Sequence, residues 1–193
     1  CRAIHLNMVL AFPPADAEDP LAEATAEEKL AQQDFDHFTR DGWGYYQQQS
    51  TRPQSLAYGL ADSPVGLAGW LTEKFRDWSD CDGEIRNEIS WDRLLANISL
   101  YWFSNCIASS VRIYCEESRH YQYVAHIDVP TGVAIYPKEP VRPPRHWIEN
   151  SYRLVHYHRA AQGGHFAALE RPGPFVHNLR EFKAVLTEQG LLT

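Results

Sequence analysis

Cysteine is scarce and scattered. The four thiols, Cys1, Cys81, Cys106 and Cys115, form no CxxC pair. That spacing argues against a disulfide framework or a zinc ribbon, and reduced thiols in a cytoplasm are the expected state. Positive charge is also short: 18 Lys and Arg stand against 25 Asp and Glu, a formal net charge of -7. Phosphate backbones need a basic face, so no nucleic-acid partner is expected, and an anionic membrane surface is disfavoured. No apolar run reaches bilayer length and no secretory signal opens the chain, so no membrane partner is expected. Repeats and low-complexity tracts are missing too. The histidines of "HYH", His156 and His158, alternate as residues on one strand face do and lack an acid or cysteine at ligand spacing. No metal and no cofactor is expected.

What is present is globular in composition. Of 193 residues, 44% are hydrophobic and 22% charged, which suits one core plus a smaller lobe. "AIHLNMVLA" at residues 3–11 reads as a buried strand stopped by Pro13 and Pro14. Thr25 and Glu28 fit a capping box, and Gly42 suits the end of that helix. "TRPQSLAYGLAD" reads as a loop and short helix. Ser63 and Pro64 open a further helix, with Leu67, Trp70, Leu71, Phe75 and Trp78 on one apolar face. Ser90 caps a long helix or a helix with a break. "VAIYP" and "YRLVHYHRA" are strands, and "PFVHNLREFKAVLTEQG" is an amphipathic closing helix. Strands alternating with helices predict a parallel α/β sheet. The helical block of about a hundred residues is too long for one crossover and reads as an inserted lobe. The expected division is residues 1–14 as a core strand, 15–122 as a helical cap and 123–193 as the rest of the core.

One stretch, "AAQGGHFAALERPGPF", sets His165 directly after a Gly-Gly pair on a loop. An imidazole held on a loop by a rigid scaffold suits acid–base work. Glu139, in "IYPKEP", follows the preceding strand. Functional groups of open α/β sheets lie at the carboxyl ends of strands, and an acid before a histidine is the chain order of hydrolases on this sheet. Asp128 is a rival acid. The opening "CRAIHLNMVLAF" has no initiator Met and starts inside an apolar run, so residues upstream are expected.

The chain resembles the α/β-hydrolase-fold epoxide hydrolases, in the branch related to microsomal epoxide hydrolase. The resemblance runs over essentially the whole chain. It is carried by "GYYQQQSTRPQSLAYGLADSPVGLAGWLTEKF", "SLYWFSNCIASSVRIYCE", "VPTGVAIYPKE" and "GGHFAALERP". It implies the C-terminal part of an α/β-hydrolase fold, a parallel sheet flanked by helices with an all-helical cap. It implies that Tyr45 and Tyr114 donate to an epoxide oxygen, that His165 activates water and that Glu139 orients it. Tyr45 and Tyr114 are preferred over Tyr46, Tyr58, Tyr101 and Tyr121 by the resemblance alone. Trp70, Trp78, Trp91 and Trp102 are expected in the cap core, and Trp102 and Phe103 are also candidates for an apolar substrate pocket. The family's nucleophilic aspartate and oxyanion loop match nothing here, since Asp16, Asp19 and Asp62 do not sit between a strand and a glycine-rich elbow. Both are therefore expected upstream of Cys1.

The implied reaction adds water to an apolar epoxide to give a vicinal diol through an aspartyl ester. Haloalkane dehalogenases and serine esterases share the fold; the former lack the tyrosine pair. A non-catalytic truncated fragment is the further alternative. The expected partners are a small apolar epoxide and the missing N-terminal half or a complementary chain, and a homodimer is compatible with the sequence. The 193 residues alone are expected to show no turnover.

Overall fold

Three short parallel strands organise one half of the computed structural model, which describes residues 1–120 and 126–192. β1 (Ile4–Leu6) pairs with β2 (Ile127–Ile135), and β2 with β3 (Tyr152–Arg159), in the order β1-β2-β3. A parallel pair cannot close through a hairpin. The crossover from β2 to β3 uses a short helix, α7 (Arg145–Ser151), which the sequence reading does not foresee. β2 is central and buried on both faces from Pro130 to Ile135, as expected of a parallel strand covered on two sides. On one face Val133 and Ile135 pack with Val9, Ala11, Trp147 and Ile148. On the other, Ala134 and Tyr136 pack with Ala167. Each fully buried Val or Ile contributes about 1.5–3 kcal/mol relative to exposure.

β1 is shorter than the expected strand over residues 3–11. A bend at Asn7 and Met8 takes the chain off the ladder, and Val9 and Ala11 are buried by packing alone. The capping box forms as expected at the start of α1 (Ala26–Asp41). Glu28 Oε2 accepts from the Thr25 N–H at 2.8 Å, and Thr25 Oγ1 accepts from the Glu28 N–H at 3.2 Å. The other oxygen, Glu28 Oε1, accepts from the Arg145 N–H at 2.8 Å and so pins the start of α7. Burial lifts the Glu28 carboxyl, but these bonds outweigh it and hold the group below its ordinary value.

The chain divides into two compact units. One comprises Cys1–His37, Trp78–Asp80 and Val124–Thr193; the other comprises Phe38–Asp77 and Cys81–Tyr123. Residues 15–37 thus group with the sheet rather than with the helices. The expected boundary at 122/123 lies outside the described residues, as does Tyr121. The second unit holds α2 (Gly44–Thr51), α3 (Pro53–Asp62), α4 (Pro64–Trp78, whose last residue belongs to the first unit), α5 (Trp91–Ser104) and α6 (Ile107–His120). Its core is Ala57, Leu60, Leu67, Ile107 and Val111. Ser63 Oγ accepts from the Gly66 N–H at 3.0 Å, and Ser90 Oγ from the Arg93 N–H at 3.4 Å, so both foreseen caps form. The break between α5 and α6 is Asn105, at φ 51, a left-handed position that Asn tolerates well. α2 is not foreseen, because "GYYQQQST" has no apolar stripe. Among the described residues, no helix is long and apolar enough to cross a membrane.

The two closing helices of the first unit are α8 (Ala167–Glu170) and α9 (Pro172–Glu188). The second docks on a row of residues in register across the sheet: His5 on β1, Gly132 on β2 and His156 on β3. Phe182 sits over Gly132, where a Cβ would come within 2.7 Å of its ring. One turn earlier Asn178 bridges the histidines, with Oδ1 at 2.8 Å from His5 Nε2 and Nδ2 at 2.8 Å from His156 Nε2. An amide oxygen only accepts and an amide nitrogen only donates. His5 therefore carries its proton on Nε2, and His156 does not. Burial, first among the causes, holds both imidazoles below their ordinary value; His158 adds to this, while Glu181 opposes it at His156.

A depressed imidazole contributes stability above the ordinary His pKa, and that stability is lost as pH falls through the folded-state value. The thermal midpoint should therefore drop between about pH 7.5 and pH 5. His156→Gln keeps an acceptor for Asn178 but does not titrate, so its midpoint should fall less steeply over that range. Equal slopes for the two proteins would rule this origin out.

Candidate functional site

The β2–β3 ladder continues past the strands. Ala160 N–H donates to Ile135 O at 2.9 Å, Lys138 N–H donates to Gly163 O at 3.1 Å, and Lys138 and Gly164 form an isolated parallel bridge. The residue after each bridge partner is Glu139 on one side and His165 on the other. Their side chains meet: His165 Nδ1 lies 3.0 Å from Glu139 Oε1 and 2.9 Å from Oε2. The carboxylate is 2% exposed. An ionised carboxylate can only accept, so Nδ1 carries the proton and Nε2 keeps its lone pair when the ring is neutral. Trp78 and Phe166 flank the imidazole edge to face, with centroids 5.2 and 5.1 Å from it.

The Gly-Gly pair before His165 has a definite cause. Gly163 adopts φ +111, where L side chains are strained. Gly164 lies against the backbone of the Trp78–Asp80 segment, where a Cβ would press into the Trp78 carbonyl oxygen and sit 3.1 Å from Asp80 N. The contact is fastened by hydrogen bonds. His165 N–H donates to Trp78 O at 2.8 Å, and Gly163 N–H donates to Asp80 Oδ2 at 2.8 Å. The buried Glu170 carboxylate accepts from the amides of Asp80, Gly164 and Phe166. Burial raises its carboxyl above the ordinary range, and nearby Asp80 adds to this, against the three amides that lower it.

The rival acid Asp128 stands exposed at the opposite end of β2, 3.7 Å from His126 Nε2. Trp78 corrects the sequence reading, which placed it in the cap core; its indole and carbonyl both serve the His165 loop. Glu170 and Asp80 were missed. Their partners lie up to 90 residues away, and the local signal is the "GHFAALE" spacing that returns Glu170 to the amides of Gly164 and Phe166.

In the second unit, the rings of Tyr45 on α2 and Tyr114 on α6 pack edge to face with centroids 6.0 Å apart. Tyr46 packs against the same Tyr114 ring at 5.7 Å. The buried Gln49 hydrogen-bonds Tyr114, and burial, outweighing that bond, raises the Tyr114 phenol. The Lys74 ammonium lies 4.8 Å from the Tyr45 ring centroid. Trp102 packs beside the helical core, and Phe103 is 84% exposed. Among the described residues, no cluster of three His, Cys, Asp or Glu side chains could hold a metal ion.

No family model matches the chain. It is 42% identical to a Stigmatella aurantiaca protein that bears an epoxide hydrolase name, over 92% of this chain and 40% of that protein. It is 39% identical to epoxide hydrolase 1 of Sus scrofa, over 76% of this chain and 35% of that one. The solved structure of Aspergillus niger epoxide hydrolase superposes with a TM-score of 0.83 at 32% identity, covering 95% of this chain and 46% of that chain. The chain thus spans less than half the length of each of these three relatives.

The close approach at Gly164 makes a direct prediction. Gly164→Ala forces the loop off the Trp78–Asp80 backbone and should destabilise the protein by about 1–3 kcal/mol, the usual cost of overpacking. Chemical denaturation measures this. The matched change Gly173→Ala, where a Cβ meets nothing within 4 Å, should cost clearly less.

Proposed function

The chain belongs to the α/β-hydrolase-fold epoxide hydrolases, in the branch related to microsomal epoxide hydrolase, and on that premise we propose that it forms the C-terminal part of an enzyme converting an apolar epoxide to a vicinal diol. The hydrogen bond between His165 Nδ1 and the buried Glu139 is the observation that carries this reading. It gives one imidazole a fixed tautomer and a free basic nitrogen, which is what activation of a water molecule requires.

In this proposal the nucleophile is an aspartate upstream of Cys1. Its carboxylate oxygen attacks an epoxide carbon, the carbon–oxygen bond of the ring breaks, and the oxygen leaves as an alkoxide. That alkoxide is a poor leaving group in water and needs donors as charge develops. Tyr45 and Tyr114 fit the task. A phenol is far more acidic than the alcohol that the alkoxide becomes, so one of the two gives its proton to that oxygen, and as a neutral donor it does not neutralise the nucleophile. His165 Nε2 then takes a proton from water as that water attacks the ester carbonyl. The ester carbon–oxygen bond breaks, the carboxyl so formed gives its proton to the departing diol oxygen, and the imidazolium, stabilised by Glu139 in between, returns its proton to the phenolate, so that aspartate, histidine and tyrosine are regenerated. The helical unit acts as the cap, with Trp102 and Phe103 offering apolar contact to the substrate.

Two experiments on the protein with its upstream part test the scheme. His165→Gln should still open styrene oxide once and then stall, leaving a covalent adduct visible by mass spectrometry, with hydrolysis slowed by about 10²–10⁴. Full turnover by that variant would sink the assignment of the base. Tyr45→Phe and Tyr114→Phe should each slow adduct formation by on the order of 10², the usual effect of losing one donor to a developing oxyanion. An unchanged single-turnover rate in either variant removes that tyrosine from the scheme.

A further inference from the structure

We propose that Glu170 is a positioning residue for the His165 base, acting with Asp80 as a clamp that fixes the loop carrying it. The inference rests on the epoxide hydrolase reading above. Glu170 is 6% exposed. Its Oε2 accepts from the Gly164 N–H at 2.9 Å and the Asp80 N–H at 2.8 Å, and its Oε1 accepts from the Phe166 N–H at 2.9 Å. It therefore grips the amides on both sides of His165. The amide of His165 itself is taken by Trp78 O, and that of Gly163 by Asp80 Oδ2. Every backbone N–H from 163 to 166 is thus committed to the Trp78–Asp80 segment or to Glu170.

An ionised carboxylate is suited to this position because it is an acceptor on both oxygens. A glutamine of the same shape turns one of those oxygens into a donor, facing an amide that also donates. The loop must then shift by a fraction of an ångström or leave a buried N–H unsatisfied. The Lys138–Gly164 bridge fixes the far side of the same residue pair, so the shift is passed to the bond between His165 and Glu139. Glu170 touches neither the imidazole nor Glu139 through its side-chain bonds. Its effect falls on the step that uses His165 and not on the step that uses the nucleophile and the phenols.

The test is rapid-mixing kinetics with styrene oxide on the protein carrying its upstream part, following adduct formation and adduct hydrolysis separately. Glu170→Gln should form the adduct within about 2-fold of the parent rate and hydrolyse it at least about 10-fold more slowly, part of the roughly 10²–10⁴ that complete loss of general-base help costs. The adduct then accumulates and kcat falls together with KM. Hydrolysis at the parent rate in a folded variant overturns the inference, and so does a loss of both steps in proportion to the folded fraction. Should Glu170→Gln fail to fold, Asp80→Ala removes the acceptor of Gly163 while leaving Glu170, and the same split between the steps is expected; equal slowing of both steps, or of neither, overturns the clamp. A parent protein that forms neither adduct nor diol defeats the functional reading and this inference with it. A parent that turns over while both clamp variants match it defeats this inference alone.

Discussion

Glu139 and His165 meet because the hydrogen bonding between β2 and β3 outlasts the strands. The bridge of Lys138 to Gly164 holds two loops side by side at the carboxyl end of the sheet. The next residue of each loop then brings its side chain to the other with no further adjustment. Everything else around the imidazole serves that adjacency. The glycines let the loop pass against Trp78–Asp80, and the Glu170 carboxylate satisfies amides that the passage would leave bare. Trp78 and Phe166 close the sides of the ring. A parallel sheet is well suited to this, since consecutive strands deliver their loops to the same end.

The local devices were legible in the sequence because they act over three or four residues. Thr25 with Glu28, Ser63 before Pro64 and Ser90 before Trp91 all cap the helices assigned to them. The order of strands and the placement of Glu139 and His165 were legible too, since apolar runs and punctuation by Pro and Gly mark strand ends. What escaped was tertiary. α2 has no apolar face, and the polar side of Gln49 finds its use only against Tyr114 on α6. α7 is short and opens after prolines. β1 ends sooner than its apolar run because, beyond Leu6, Val9 and Ala11 are buried by side-chain packing and not by pairing, while Met8 and Leu10 stand exposed. Glu170 and Asp80 look like ordinary acids until the 78–80 segment and the 163–170 stretch are brought together.

The tyrosine pair is a different case. Nothing in the periodicity of either helix singles out Tyr45 or Tyr114 among ten tyrosines, and the family resemblance alone chose them. The structure adds that their rings are neighbours and that Gln49 orders one hydroxyl. Tyr45 and Tyr46, on a helix without an amphipathic stripe, both pack their rings on Tyr114.

Gly132 and Phe182 illustrate how a polar row and an apolar wedge set one helix on a sheet. The ring occupies the space that a side chain at 132 would need, and Asn178, one turn away, fixes the rotation of the helix through His5 and His156. Size at the two positions is therefore a shared quantity. Among sequences that keep this fold, a larger residue at 132 is admissible where 182 is smaller, so the pair should vary jointly. The hydrogen-bonding row beside it has no such freedom, because the Asn178 oxygen accepts from one histidine while its amide nitrogen donates to the other.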